Sequence, residues 1–241
     1  MELNKLHILA FGAHADDVEI GMAGTIAKFA EEGKQIGICD LTEADLSSNG
    51  NVVLRKEEAK RAADILGVSL RTSLGFPDRG LFLKEQYIQK AAEIIRRYKP
   101  QIIFAPYFED RHPDHGNCAR IVEEAVFSAG IKKYRTNGWN DPHRVKRLYF
   151  YMINGFHKPD FTVDISQVID KKLSSLRAYR SQFELTPDSV ETPLVNDYIE
   201  TVESRERMFG KLVGVSYAEG FKTKVPLLLE HDLLGEEPCG N

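Results

Sequence analysis

Imidazole and carboxylate side chains concentrate at two places in this chain. Ala13-His14-Ala15-Asp16-Asp17 directly follows the apolar run Leu6–Phe11, and Arg111-His112-Pro113-Asp114-His115 directly follows the apolar run Ile102–Pro106. Each run reads as a buried strand, and open α/β sheets carry their chemistry at the carboxyl ends of strands. On a strand-to-helix turn, residues three apart point to the same side. His14 and Asp17 are then set to bind one cation, with Asp16 beside them and unbound. In the second cluster either His112 or His115 supplies a third ligand, and Asp114 is placed to orient its neighbour through Nδ1. Three protein ligands, a spare carboxylate and a spare imidazole make up the inventory of a metal-assisted hydrolase. A helix cap accounts for one aspartate in each cluster. It does not account for two acids and a histidine at one strand end, or two histidines in four residues at the other.

The elements that must hold these groups alternate. Strands are expected at Leu6–Phe11, Gln35–Asp40, Leu70–Leu74 and Ile102–Ala105, and helices at Val18–Glu32, Val53–Leu66, Glu85–Tyr98 and His115–Ala129. Ile20, Ile26, Ala27 and Ala30 form the apolar stripe of the first helix, and Gly33, Gly67 and Gly130 follow helix ends. This succession predicts an α/β, Rossmann-like, mostly parallel sheet with helices on both faces. After Gly130 the pattern changes. Lys146–Met152 and Phe161–Val163 read as strands, Gln167–Phe183 and Leu194–Leu212 as helices, and Val225–Asn241 as extended chain and tail. Without an internal repeat or a dividing linker, residues 1–241 are expected to form one domain, a core at 1–130 with a C-terminal α+β extension at 131–241. No G-x-G-x-x-G follows the first strand, so no dinucleotide cofactor is expected.

Composition narrows the partners. The chain is 42% hydrophobic and 28% charged with a net charge of -4. It therefore has no broad electrostatic attraction to nucleic acid or an anionic membrane. No run of about eighteen apolar residues is present, as a membrane helix would need, and the N-terminus lacks a signal-peptide core. Cys39, Cys118 and Cys239 are odd in number and lack metal-like spacing, which suits a reducing cytoplasm. A cytoplasmic protein acting on a small molecule is expected. Leu227-Leu228-Leu229 suits packing on the sheet or on another subunit, and a homo-oligomer is expected. His143, His157 and His231 have no partner pattern and read as structural or exposed.

Ala-His-x-Asp-Asp after the first strand, with His-Pro-Asp-His after a later one, resembles the PIG-L/LmbE-like superfamily of zinc-dependent N-deacetylases. The resemblance runs along most of the chain. It includes Leu41-Thr42-Glu43, Arg55 with Glu58, Pro159-x-Phe161-x-x-Asp164-Ile165 and Arg180-Ser181-Gln182. Val18-Glu19-Ile20-Gly21-Met22 and Tyr217-Ala218-Glu219-Gly220-Phe221 are similar to the bacillithiol-biosynthesis branch, which removes acetyl from N-acetylglucosaminyl-malate. The resemblance implies that His14, Asp17 and His115 bind Zn2+ and that Asp16 is the general base. It implies further that His112, oriented by Asp114, stabilises the oxyanion or donates a proton. The chain departs from the pattern at Ala15, where many members have Pro. It departs again at Thr42-Glu43-Ala44-Asp45, where many have a Gly-rich acidic loop.

A malyl conjugate carries two carboxylates, so cationic side chains are expected to meet it. Arg55 and Arg111 are the candidates, because arginine forks match carboxylates. Tyr198 is a candidate oxyanion or sugar contact. Two other readings fit parts of the pattern. One is a general deacetylase of N-acetylglucosamine conjugates or chitooligosaccharides. The other is a non-haem Fe(II) oxygenase, since two histidines and a carboxylate also describe its ligand set. The spare Asp16 favours hydrolysis.

Overall fold

Alternation along the strands decides the layers. The computed structural model describes residues 5–187 and 189–228; Leu229, His231 and Cys239 lie outside them. In β1 (Ile8–Gly12), Ile8 and Ala10 face one hydrophobic layer while Leu9 and Phe11 face the other. Successive strand side chains point to opposite faces, so a strand with no polar residue needs cover on both. β2 (Ile36–Thr42), β3 (Leu70–Phe76), β4 (Ile102–Pro106) and β5 (Arg147–Tyr151) run parallel to it. One layer is filled by α3 (Glu85–Tyr98) and α4 (Pro113–Ala129). The other is filled by α1 (Asp17–Glu31) and by α5 (Ile169–Arg177), beside α2 (Val52–Leu66).

The sheet has seven strands in the order β3-β2-β1-β4-β5-β7-β6. β6 (Phe161–Asp164) and β7 (Ala218–Lys222) extend it, with β7 antiparallel to both β5 and β6. The reversal of strand order falls between β1 and β4, and the loops leaving those strands diverge there to opposite faces. That leaves a crevice at their carboxyl ends. The two His/Asp clusters leave from those two ends.

Several elements differ from expectation. Val18–Glu32 is not one regular helix: Met22 has φ -153° and ψ 21°. Gln167–Phe183 divides into α5 and a short α6 (Arg180–Phe183). Leu194–Leu212 begins as a 3-10 turn at Pro193–Val195, and Asp197, at φ 50°, separates that turn from α7 (Tyr198–Val213). β7 is a strand that the sequence pattern does not announce. Its sequence AEGFK places a charged residue and a glycine inside the pattern, a poor match to strand preferences. Cys39 and Cys118 are buried free thiols, as expected.

Candidate active site

The loop after β1 is fastened before any side chain is placed. Thr42, at the end of β2, donates to the Ala13 carbonyl from both its amide (3.0 Å) and its hydroxyl (2.9 Å). Asp17 Oδ2 accepts from the amides of Ala13 (2.9 Å) and His14 (2.8 Å). Asp17 is therefore a fixed carboxylate at the start of α1, and its Oδ1 is turned to His115 Nε2 at 3.1 Å. Asp16 immediately precedes the helix at φ 119°, a conformation that costs a non-glycine residue energy. Strain of this kind recurs where a side chain must be aimed.

The second cluster opens α4. His112 is its N-cap, with Nδ1 accepting from the Asp114 amide at 3.3 Å, and Pro113 takes the first helical position, where its missing N–H costs nothing. This places His115 one turn in, buried, with Nδ1 in an ion pair 2.9 Å from Asp110 Oδ1. The rings of His14, His112 and His115 converge, with centroids 4.8–5.6 Å apart. One nitrogen of each lies within 4.8 Å of the others. His14 Nδ1 is 3.5 Å from Asp17 Oδ2, while its Nε2 lies 3.3 Å from Asp78 and 3.6 Å from Asp114.

Charge balance explains the electrostatics. Burial lowers the pKa of His14, but Asp17, Asp114 and Asp78 more than offset it and hold it well above the usual value. His115 is held at about 9, where Asp17 and Asp110 outweigh burial. Asp17 is held well below the carboxylate range by the two imidazoles, against burial. Burial drives Asp16 the other way, to about 6, with Arg55 opposing.

The donor set suits a divalent cation. Asp17 meets the two histidines through different oxygens, Oδ2 at 3.5 Å from His14 Nδ1 and Oδ1 at 3.1 Å from His115 Nε2, so its carboxylate faces both rings where a cation would sit. A cation there would displace the protons that His14 and His115 otherwise hold. Imidazole and carboxylate together suit a divalent metal of the first transition row.

Asp114 does not take the role expected for it. The His112 Nδ1 is met by the Asp114 amide, while the Asp114 carboxylate accepts from the Arg79 amide (2.8 Å) and Arg79 Nη1 (3.1 Å) beside His14. Nor is His112 favoured as a cation, as a carboxylate partner would have made it. Burial lowers its pKa, and the charges of His115 and His14 add to the effect. With Nδ1 an acceptor, the neutral ring carries its proton on Nε2 and remains a hydrogen-bond donor.

His14, Asp16, Asp17, Asp78, His112 and His115 line a cavity of about 200 Å³, and Arg55, Arg111 and Tyr198 reach its walls as well. Arg55 is buried, with its guanidinium 3.2 Å from Asp16 Oδ2 and donating to the Ala15 carbonyl. It holds the expected base as well as facing the cavity. Arg111 is exposed and makes no ion pair among the described residues, whether with Asp110 or with Glu109. The Tyr198 hydroxyl is 3.1 Å from both the Ile153 carbonyl and Asn154 Oδ1. Asp78, Asp110, Arg79 and Asn154 join the site without having been expected there. Asp110 lies two residues before His112 and was legible by proximity, whereas Asp78 and Arg79 follow β3 with no local pattern. The two distant motif pairs meet here too: Glu58 accepts from the Ser181 amide (2.8 Å) and hydroxyl (2.7 Å), closing α6 onto α2.

Comparison with known proteins agrees with this geometry. The profile of the family described as PIG-L: GlcNAc-PI de-N-acetylase matches residues 9–126. A diacetylchitobiose deacetylase from Thermococcus kodakarensis is 32% identical over 230 residues, covering 89% of this chain and 82% of that protein. A probable N-acetyl-alpha-D-glucosaminyl L-malate deacetylase 2 from Bacillus anthracis is 26% identical, covering 85% of this chain and 93% of that protein. The crystal structure of the conserved protein TT1542 from Thermus thermophilus superposes with a TM-score of 0.85 at 39% identity, over 93% of this chain and 97% of that one. The oxygenase alternative gives way to hydrolysis: this chain belongs to the PIG-L family and is an amide hydrolase of the de-N-acetylase kind.

Proposed function

We propose that this chain removes the N-acetyl group from an N-acetylglucosaminyl conjugate, with Zn2+ held by His14, Asp17 and His115. The observation that carries this reading is the meeting of both His/Asp clusters around one cavity, with Asp16 buried beside the ligand set and braced by Arg55. A bound zinc ion supplies a water of lowered pKa and polarises the amide carbonyl. Asp16 takes the proton of the attacking water, and Arg55 keeps its carboxylate aimed while that happens. His112, a neutral donor on the cavity wall, hydrogen-bonds the oxyanion that develops on the acetyl group. The proton for the departing sugar amine comes back from Asp16, the one group in this scheme that has just gained one.

For the aglycone, the supporting observation is Arg111, an arginine on the cavity wall without an ion-pair partner among the described residues. It favours an acidic aglycone, and with the likeness to the Bacillus protein it supports N-acetylglucosaminyl-malate, the bacillithiol-pathway substrate. A second reading, a chitooligosaccharide, is favoured by the greater identity to the Thermococcus enzyme. Amine release by the zinc-loaded enzyme, measured on N-acetylglucosaminyl-malate, diacetylchitobiose and free N-acetylglucosamine, decides between them. A higher kcat/KM on the malyl substrate is expected. A higher value on diacetylchitobiose transfers the assignment to the second reading, and no release from any of the three overturns both.

A further inference from the structure

Helix α1 carries the catalytic loop, yet it is broken after one turn. In an uninterrupted helix the Gly24 amide would donate to the Ile20 carbonyl and the Thr25 amide to the Gly21 carbonyl. Here both amides donate to one side chain from the far end of the chain. Glu219 of β7 accepts from Gly24 through Oε1 at 2.8 Å and from Thr25 through Oε2 at 2.6 Å. The released Ile20 carbonyl accepts from Lys172 Nζ (3.0 Å, α5) and Arg205 Nη2 (2.9 Å, α7). Lys172 closes the set against Glu219 (2.6 Å) and Glu206 (2.9 Å), and Arg205 against Glu206 (2.8 Å). Lys172 and Glu219 are both 0% exposed.

The signs suit the break. A carboxylate caps the amino end of the second helical segment, and two cations cap the carbonyl end of the first, each where the helix dipole favours it. Sterics suit it too: a Cβ on Gly21 would fall 2.1 Å from Cδ2 of the Tyr151 ring, whose hydroxyl donates to the Phe11 carbonyl of β1 at 2.7 Å. The short first segment, Asp17 to Gly21, is thus hung from β1 at one end and from this buried ion cluster at the other. Arg205 adds a second tie. Its Nη1 donates to the Ile153 carbonyl at 3.0 Å, so one guanidinium joins Ile20 and Ile153, which both line the catalytic cavity.

We propose that Glu219, with Lys172 and Arg205, is a positioning device for the reaction: it keeps α1 broken so that the turn bearing Asp16 and Asp17 is set by the core and not by the helix. This assigns a role to the Tyr217–Phe221 motif and makes the C-terminal extension part of the site's construction. The inference rests on the deacetylase reading for its kinetic test, and zinc affinity tests it independently.

The test compares Glu219→Gln, Lys172→Met and the double variant with the wild type, each measured for zinc affinity by chelator competition, for kcat and KM, and for Tm. Glu219→Gln keeps one acceptor but sets a donor against a second amide. It should weaken zinc about tenfold or more and lower kcat with little change in KM, because Glu219 is remote from the substrate. The double variant removes both buried charges and should recover Tm, since a neutral pair leaves no uncompensated ion. It should not recover zinc affinity or kcat. Recovery of all three would make Glu219 a stability residue and overturn the proposal. So would a Glu219→Gln enzyme with wild-type zinc affinity and kcat. If Glu219→Gln does not fold, Arg205→Lys decides: one ammonium cannot span Ile20 and Ile153, so kcat should fall, and wild-type kcat and zinc affinity would overturn the idea. A wild type that binds zinc but releases no amine refutes the substrate reading, and the zinc affinities then decide this one alone.

Discussion

Two residues carry the sharpest expectations. Asp16 is buried against Arg55 and next to the ligand set, so Asp16→Asn keeps shape and loses the proton acceptor. A general base contributes about 10²–10⁴-fold to turnover. The variant should bind zinc with wild-type stoichiometry by elemental analysis and lose activity on that scale; near-normal kcat would remove Asp16 from the mechanism. Arg111 lines the same cavity without an ion-pair partner among the described residues. A hydrogen bond to a charged group is worth roughly 1.5–3 kcal/mol, on the order of tenfold to a hundredfold in kcat/KM. Arg111→Ala should therefore cost the malyl substrate that factor and leave an uncharged N-acetylglucosaminide nearly untouched. An equal loss on both would give Arg111 a role in shaping the site in place of aglycone recognition.

At the scale of elements, α1 and the β6–β7 edge are the informative pieces. Gly21→Ala drives a methyl into the Tyr151 ring, which is fully buried and tied to β1. Overpacking of this kind costs about 1–3 kcal/mol. Calorimetry should show a lowered Tm, and an unchanged Tm would mean that the ring and helix part without cost. At the edge, Asp160 Oδ1 pairs with Lys222 at 2.6 Å and Oδ2 accepts from the Thr223 amide at 2.8 Å. Burial pushes its pKa up, but these partners together outweigh it and the folded value lies below the ordinary one. A depressed carboxylate stabilises the fold fully above the unfolded value near about 3.9 and loses that contribution as pH falls through the folded value. Asp160→Asn should therefore be less stable than wild type near neutrality, with the gap closing in acid. A gap that stays constant with pH would assign the effect to hydrogen bonding alone.

For the molecule as a whole, the unaccounted feature is apolar surface. Met208, Leu212 and Val213 are more than half exposed along α7, as is Phe156 on the loop stacked against Phe209. Contiguous exposed apolar patches are where subunits associate. We expect a homo-oligomer, and sedimentation equilibrium checks it: a monomer across the micromolar range would contradict the expectation. No helix among the described residues is long and apolar enough to cross a membrane.

What the sequence determined by itself is what depends on neighbours along the chain. Strand and helix alternation, the helix-ending glycines and the two His/Asp clusters all follow from spacing, because periodicity and capping act over a few residues. A parallel α/β sheet then leaves few choices for where such clusters lie. Tertiary structure decided what depends on partners distant in the sequence. Asp78 reaches His14 from the end of β3, and Arg55 turns out to brace Asp16. Asp114 serves His14 and Arg79 in preference to the ring of His112. Helix α1 looks continuous in the sequence because its apolar stripe is continuous. Its break becomes stable only when Glu219, almost two hundred residues later, brings a carboxylate to two amides that no local side chain satisfies. Buried polar groups must be paired, and folding chooses the pairs across the whole chain.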